Sequence, residues 1–550
     1  MAQQQRSTVS MRHHWSFRVW PQLPSELAER IVESLDCNEI SGTFRHLNKA
    51  TAEHFSGPEH TTIHLTEPVP PHAFAAHWLT PGAMRGLTLE RRRKLVRLVA
   101  ASGVLPNMEV ALQAAGFVGA VAAAFMAAAG AGQLPMCQWL WDFSRSRTDD
   151  LYDPCRAELA LEAAAFGGHR HVCEWLLAIR RSALHSQAIN AAVEGGHVAL
   201  AEWLLQQHPS RIGDVYGYMG AVAHGCDLPT LQRAWLLHFG RSLDLDKKAA
   251  VLSSAAGSPT PDWAAKVEWL EAKGCPRSAG AAMEAAGMLN NDSEALARLT
   301  WLRGRGYPVN VEAAAGAATR SGNTAAVRYL LAEVPEGTDE EREDTVHGAA
   351  EAGHLAALQA LHAAGWPLHR YSLCLRDSTL SAARHGHLHV LAWLLDTLGP
   401  ELVVLDAGLF AAAAKSGNME LLAWLRQHGC LWDFGAYSGA AEAGWVAALE
   451  WLAEQDCPME ECGDPYTKAC RNGDLATARC LRRLGAPWGR DGSVFIDAAS
   501  EYMGCAPRSL LRWLLGEGCP VDVEDVEEVE DEEVLRLVRE HLGRRQPQHG

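Results

Sequence analysis

The sequence lacks the short motifs that usually identify an enzyme or a membrane protein. It contains no phosphate-binding loop, nucleophile elbow or dinucleotide-binding fingerprint. Its longest apolar run, Phe117 to Ala131, has 15 residues, mostly Ala and Gly, and is too short and too weakly apolar to span a membrane. The first twenty residues have no apolar core, which argues against a secretory signal. Because they are basic and free of acidic residues, a weak organellar transit peptide stays open.

The sequence also lacks a continuous stripe of basic residues, and this argues against nucleic acid as the partner. The chain has 550 residues and a formal net charge of −17, and the stretch from Asp522 to Glu533 contributes nine carboxylates. An acidic chain of this kind is not expected to bind nucleic acid. We interpret its one basic cluster, Arg91-Arg92-Arg93-Lys94, as the solvated face of the first repeat helix.

A Trp-Leu pair recurs along most of the chain. From Trp175 to Trp513 there are eleven steps over 338 positions, a mean just under 31. A fixed period in this range indicates a solenoid, which counts as one elongated unit. The pairs begin at Trp139, Trp175, Trp203, Trp235, Trp269, Trp301, Trp393, Trp424, Trp451 and Trp513, while Tyr329, Ala360 and Cys480 fill the gaps.

Each repeat has the pattern of two helices joined by a glycine turn. An Ala-rich run precedes the Gly, which suits the left-handed position that ends a helix. The following run places Val198, Ala201 and Leu204 at helical spacing. Many repeats close on Gly-X-Pro, as at Gly274-Cys275-Pro276, which is turn chemistry. The turn glycines are Gly168, Gly196, Gly322, Gly353, Gly386, Gly417, Gly444 and Gly473.

This pattern of helix, Gly turn, longer amphipathic helix and second turn resembles the ankyrin repeat. The resemblance covers residues 91–520. The chain departs from the family in lacking Thr-Pro-Leu-His at the repeat start and in carrying Trp in the second helix and Cys-Pro in the turn. The resemblance implies an all-α fold: an α-solenoid of more than ten stacked ankyrin-like helical hairpins, with a small N-terminal helical module.

The N-terminal module spans residues 20–55. Leu23, Leu27, Ile31 and Leu35 recur every four residues and predict one apolar helix stripe, with Pro24 near the helix start. The order of these residues, followed by Leu47-Asn48-Lys49, resembles an F-box, although the Trp usual near the end of that motif is missing. The resemblance implies that Leu23, Pro24, Leu27 and Ile31 contact a Skp1-like adaptor of a cullin-type ubiquitin ligase. A helical cap that closes the array is the open alternative.

The expected domain organisation follows from these patterns. Residues 1–19 form a flexible N-terminus, 20–55 the F-box-like module, 56–90 an irregular connector rich in proline, and 91–520 the repeat array. Residues 521–550 carry the acidic segment and a C-terminal capping helix, which solenoids need for solubility.

The residues that suggest chemistry fit the repeat better than an active site. Histidines follow the turn glycine at His169, His197, His354 and His387. Packed helices lie about 8–10 Å apart, whereas zinc ligands must all lie about 2 Å from one ion. Neighbouring repeats therefore cannot share a metal, and we interpret these histidines as turn and cap residues. No catalytic residue, metal or cofactor is expected.

The tryptophans and cysteines are interpreted as structural. The Trp series precedes the core Leu on an apolar helix face and is expected in the core between repeats. Replacing Trp203 or Trp424 by Ala should then cost about 3–5 kcal/mol. The fourteen cysteines form no Cys-x-x-Cys pair, and many follow the repeat. This favours reduced structural thiols, and so a cytoplasmic or nuclear protein.

One repeat position changes while its surroundings stay small and apolar. It lies two residues before the turn glycine, and ankyrin-like arrays bind partners along their inner helices and loops. The set is therefore a candidate partner surface, although each single residue is also explained as a solvated helix end. Its members are Phe166, Glu194, Arg320, Glu351, Arg384, Lys415, Glu442 and Arg471.

Three functions are compatible with the sequence. The leading hypothesis is a monomeric, non-enzymatic scaffold that binds an unidentified protein partner along the array. The alternative is a substrate receptor of a cullin-type ubiquitin ligase, acting through the F-box-like module. The remote alternative is a sphingomyelin phosphodiesterase-like enzyme. That chemistry needs clustered carboxylate and histidine metal ligands, and the sequence shows no such cluster.

Overall fold

The computed structural model describes residues 30, 32, 34–47, 49–117, 119–146, 156–180, 183–207, 215–237, 243–289, 291–332, 339–366, 368, 372–459, 463–489, 492–500, 506–521 and 531–545. Over these ranges the protein is helical and contains no strand. The one isolated bridge in them joins Phe117 to Asp474. The predicted fold class, an all-α solenoid of more than ten stacked hairpins, is confirmed.

The described part of the array consists of fourteen hairpins, each with a first helix and a second helix. The first helices are α5 (Leu89–Ser102), α7 (Ala120–Gly130), α9 (Ala157–Phe166), α11 (Ser186–Glu194), α13 (Val215–Gly225), α15 (Leu245–Ala256), α17 (Ala279–Ala286), α19 (Val311–Arg320), α21 (Asp339–Ala352), α23 (Ser372–Arg384), α25 (Ala407–Ala414), α27 (Gly435–Glu442), α29 (Asp464–Arg471) and α31 (Ser493–Ala499). The second helices are α6 (Leu105–Ala115), α8 (Leu134–Ser146), α10 (Arg170–Ile179), α12 (Val198–Gln207), α14 (Leu228–Leu237), α16 (Trp263–Ala272), α18 (Asp292–Gly304), α20 (Thr324–Leu331), α22 (Leu355–Ala363), α24 (Leu388–Leu398), α26 (Met419–Gln427), α28 (Val446–Glu454), α30 (Leu475–Arg483) and α32 (Arg508–Gly516).

Short helices flank the array at both ends. The N-terminal ones are α1 (Cys37–Gly42), α2 (Lys49–His54), α3 (Pro58–Thr61) and α4 (Pro71–Trp78), so the connector carries two of them. At the other end, α33 (Glu532–Arg545) packs against α32 and adds Val534 and Val538 to the buried core.

The glycines that the sequence assigned to turns adopt the backbone expected of them. Within a hairpin, Gly353 has φ +75° and Gly386 has φ +78°. Between hairpins, Gly274 and Gly485 both have φ +78°. A side chain in this left-handed region costs about 1–2 kcal/mol, so both turns of the repeat favour glycine, although Asp456 adopts φ +55° in the turn between hairpins twelve and thirteen.

Neighbouring first helices pack more closely than neighbouring second helices. Small residues permit this approach: Ala382 and Ala383 are fully buried, and a Cβ added to Gly439 would overlap the Ala411 carbonyl oxygen. Because the array is narrower where its helices lie closer, the first helices form its concave side.

The tryptophans differ from expectation. Most are half-buried at the edge of the core, whereas the Leu that follows is fully buried, as at Leu204 and Leu425. The pair at Trp235 is reversed, with Trp235 only 4% exposed and Leu236 72% exposed. The Trp rings overlie the core and one another, as in the edge-on contact of Trp235 with Trp269 at 5.7 Å. The predicted core position therefore belongs to the Leu.

Replacing Leu204 by Ala is therefore expected to destabilise the array more than replacing its neighbour Trp203. Leu204 is completely buried, so its truncation should cost about 2–5 kcal/mol. Trp203 is half-buried and holds the Arg170 guanidinium 5.0 Å from its ring centre, so its truncation should cost nearer 2 kcal/mol. Urea unfolding followed by circular dichroism measures both. A larger loss for Trp203→Ala would return the tryptophans to the core.

The first hairpin touches the turns of hairpins eleven to thirteen. The Leu89 amide donates to the Ala443 carbonyl at 2.7 Å, and the Ala447 amide donates to the Arg85 carbonyl at 2.9 Å. The Arg92 guanidinium pairs with Asp474, 382 positions away. We call this the closure contact: residues 85–92 and 115–117 against 417, 443–450 and 474–476. The array therefore forms one closed superhelical turn rather than an open arc.

Candidate interaction surface

The eight residues of the candidate partner surface form a row at the ends of first helices. Six are the last residue of their helix, Glu351 is the last but one, and Lys415 follows the last. Lys415 is half-buried and the other seven are exposed. Since the first helices form the concave side, the row follows the inner rim of the closed array.

The row is continuous only in the C-terminal half. Six successive first helices, α19 to α29, carry Arg320, Glu351, Arg384, Lys415, Glu442 and Arg471. Towards the N-terminus, the corresponding positions in α13, α15 and α17 are Gly225, Ala256 and Ala286, which separate this stretch from Phe166 and Glu194. Within the stretch, Lys415 forms an ion pair of 2.8 Å with Glu442. The remaining charges are distributed along the rim.

Donors from the next hairpin satisfy carbonyls at the ends of many first helices. The last carbonyls of a helix have no partner inside the helix. His387 Nε2 donates to the Glu351 carbonyl at 2.9 Å, and Asn418 Nδ2 donates to the Gly386 carbonyl at 3.0 Å. Lys266 Nζ donates to the Ala223 carbonyl at 2.6 Å, and burial lowers the pKa of this amine to about 8. Burial also lowers the pKa of His387. These contacts support a turn and cap role for this histidine.

The pattern changes at the closure contact. The residues that follow the last two turn glycines are Trp445 and Asp474, both buried. Asp474 caps α30 by accepting from Thr477, so its side chain supplies no donor to the Gly444 carbonyl, while Asn472 Nδ2 donates to the Glu442 carbonyl at 2.7 Å. Arg92 takes that role from the first hairpin, donating to the Gly444 carbonyl at 2.9 Å and to the Asp474 carboxylate.

Arg92 corrects the interpretation of the basic cluster. The sequence placed Arg91 to Lys94 on a solvated helix face, but Arg92 is only 2% exposed. It also donates to the Ala115 carbonyl at 2.7 Å, so one guanidinium joins the first hairpin to the twelfth and the thirteenth, which are distant in sequence. Sequence reasoning missed this residue, and the one available signal was the change from His or Asn to Trp445 and Asp474 after the turn glycine.

In the part of the chain that the structure describes, no three His, Cys, Asp or Glu side chains are grouped as a metal site requires. No helix there is long and apolar enough to cross a membrane. The adaptor residues implied by the F-box resemblance, Leu23, Pro24, Leu27 and Ile31, lie outside the described residues.

The buried thiols predict a loss of stability at alkaline pH. Burial raises the pKa of Cys173 and Cys430 to about 12 and that of Cys275 to about 11, from an ordinary value of 9.0. As pH rises above 9, the unfolded chain loses these protons while the folded chain keeps them. The stability that these groups contribute is therefore complete below pH 9 and is lost as pH rises towards 11–12. Each thiol should remove up to about 1.4 kcal/mol per pH unit.

Urea unfolding between about pH 9 and pH 10.5 measures this effect. Over this range Lys266, whose pKa burial lowers to about 8, contributes an opposite change of one proton, which the three thiols together exceed. A Cys430→Ala variant, which lacks one of the thiols, should show a shallower decline above pH 9 whatever its starting stability. An unfolding midpoint that stays constant or rises across this range would contradict the assignment of these cysteines as buried, protonated thiols.

No protein-family model matches the chain, and no similar protein is found among curated proteins. Among solved structures, the crystal structure of the pentatricopeptide repeat protein PPR10 from maize is similar over 94% of this chain and 99% of its own, at 12% sequence identity and a TM-score of 0.21. A superposition this loose carries no information about what this chain binds.

Proposed function

We propose that this protein is a non-enzymatic scaffold that binds a protein partner along the row from Arg320 to Arg471. The observation that carries the proposal is the row itself. Six successive first helices each place one polar, changing residue on the inner rim, while the helix positions around it are small and buried. Closely packed helices hold these side chains at near-regular intervals, which suits recognition of one extended surface.

The nature of the partner is tested by affinity purification with the full chain as bait. A protein partner should remain bound after nuclease treatment, because its contacts with the row do not pass through nucleic acid, and the acidic net charge of the chain does not favour nucleic acid. Capture that disappears with nuclease would replace the protein partner by a nucleic acid. A metal-dependent phosphodiesterase assay on the same preparation tests the remote enzymatic alternative, and turnover would overturn the non-enzymatic hypothesis.

The ubiquitin-ligase alternative is favoured by the packing of the N-terminal module. Its described residues Ile40, Phe44 and Phe55 form a small core of their own, separate from the core of the array. Asn38 Nδ2 donates to the His64 carbonyl at 2.8 Å, and the Ser41 hydroxyl donates to the His60 carbonyl, so α1 packs on the connector. A module with its own core suits an adaptor-binding role better than a cap on the first hairpin.

A Leu23→Ala/Pro24→Ala variant tests this alternative. If Leu23, Pro24, Leu27 and Ile31 present an apolar face to a Skp1-like adaptor, the variant should lose adaptor co-purification with little change in melting temperature. Wild-type chain that binds no adaptor, together with a lower melting temperature in the variant, would identify the module as a cap. The ligase alternative would then be dropped.

A further inference from the structure

We infer that the closure contact is reversible. It opens as one unit while the hairpins stay folded, and so converts the inner rim between a closed ring and an open arc. The significance of this motion for partner access rests on the proposed function, but the motion itself does not.

The first support is the polar character of the contact. Among the described residues, it includes the backbone hydrogen bonds Leu89–Ala443 and Ala447–Arg85, the backbone bridge between Phe117 and Asp474, and the ion pairs Arg92–Asp474 and Arg85–Glu450. The apolar cores on its two sides stay separate: Leu89 and Phe117 belong to the core of the N-terminal half, and Trp445 to that of the C-terminal half. Opening therefore uncovers apolar side chains at the contact itself, such as Leu89 beside Gly444, but it divides no core cluster that the two sides share, and water can replace the hydrogen bonds. Separating two successive hairpins, by contrast, would expose their shared apolar core.

The second support is that, among the turns that the structure describes, the closure contact involves those of hairpins eleven to thirteen and not the earlier ones. The turn glycines Gly417, Gly444 and Gly473 are buried, whereas those of the earlier repeats are half-buried or exposed. At Gly417 an added Cβ would lie 2.6 Å from Thr88 Cγ2, in the place that the next hairpin's histidine ring occupies at Gly353. The N-terminal hairpin thus fills positions that the local repeat leaves open.

Opening can be observed at two amides. Leu89 and Ala447 lie in the first turns of α5 and α28, where a helix offers the N–H group no internal acceptor. Within the described chain, their backbone acceptors are Ala443 and Arg85, across the closure contact. Their hydrogen exchange therefore reports the opening of the closure contact and not the fraying of a helix.

A disulfide across the closure contact should keep it closed. A Cβ added to Gly116 would lie 3.4 Å from the Ala476 Cβ, close to the distance that a disulfide spans. In the full chain carrying Gly116→Cys/Ala476→Cys, oxidation is expected to slow exchange at Leu89 and Ala447 by about tenfold or more relative to the same protein reduced.

A side chain introduced at Gly444 should shift the closure contact towards its open form. A Cβ added to Gly444 would lie 2.6 Å from both Arg92 Nη2 and Asp474 Oδ2, so Gly444→Ala should accelerate the same two amides by about tenfold or more. Gly485→Ala is the matched control. Gly485 has the same left-handed backbone, with φ +78° against +61°, but a Cβ there meets nothing within 4 Å. It should leave both rates unchanged.

Three results would contradict the reversible opening of the closure contact. Exchange at Leu89 and Ala447 as slow as at the fully buried amides of α27 would make the contact a fixed part of the fold. Fast exchange that neither the disulfide nor Gly444→Ala alters would show that the two sides of the closure contact do not meet. Two introduced thiols that both stay free after oxidation of the Gly116→Cys/Ala476→Cys chain would show the same. Loss of partner capture with unchanged exchange rates concerns only the proposed function.

Discussion

Replacing Arg92 by Met is expected to shift the closure contact towards its open form by about a hundredfold or more. The substitution keeps an apolar stem but leaves the Asp474 carboxylate buried without its cation. Removing one partner of a buried ion pair typically costs about 3–5 kcal/mol, and each 1.4 kcal/mol is about tenfold in population. Because opening returns the carboxylate to water, the hairpins themselves should stay folded. Hydrogen exchange at the Leu89 amide measures the shift.

The control is the double variant Arg92→Met/Asp474→Asn. It removes the unpaired charge, and Asn caps a helix about as well as Asp, so α30 keeps its start. The double variant should recover most of the closure. If the single variant opened no more than the double, the ion pair would not hold the ends together, and the backbone hydrogen bonds would be the main restraint.

Reversing four charges of the row is expected to abolish partner capture without unfolding the array. Arg320, Arg384, Lys415 and Arg471 all lie at the ends of first helices, where three of the side chains are exposed and that of Lys415 is half-buried. Changing all four to Glu places like charges against any surface that complements them, and binding should fall about a hundredfold or more. Capture from a lysate, with melting temperature measured in parallel, provides the test.

The matched control reverses four exposed arginines on second helices: Arg233, Arg328, Arg479 and Arg512. The net charge changes equally, and Arg233 is paired with Glu202 much as Lys415 is paired with Glu442. Capture should persist in this control. Equal loss in both variants would indicate a general effect of charge, and unchanged capture in the row variant would move the site elsewhere.

The parts of the fold that depend on neighbours in sequence could be predicted. The hairpin, its period and the glycine turns follow from helical spacing and from the left-handed backbone that glycine accepts, and Gly353 and Gly386 have this backbone. Which side chain of a Trp-Leu pair faces the core was harder to predict from the sequence. A slip of one residue places Trp235 in the core and Leu236 in solvent, and both residues are apolar, so the pattern does not distinguish the two registers.

The closure contact could not be predicted because it depends on the curvature of the whole array. Each hairpin adds a small rotation to the stack, and the sum over ten or more hairpins decides whether the ends meet. No local pattern reports that sum. Arg92 therefore looked like a solvated base, although it meets Asp474 from 382 positions away. The residues of the row could be identified from the sequence. Its continuity from Arg320 to Arg471, and its interruption at Gly225, Ala256 and Ala286, became clear only when the structure showed where each first helix ends.

The most direct measurement places a photo-crosslinking amino acid at Glu442, on the row, or at Glu454, at the exposed end of the second helix of the same hairpin. Both positions lie in one folded unit, so differences in stability or expression affect them equally. If a protein partner lies along the inner rim, irradiation should join it to the chain labelled at position 442 and not to the chain labelled at position 454. Crosslinking from position 454 alone would place the partner on the outer helices and contradict the proposed surface.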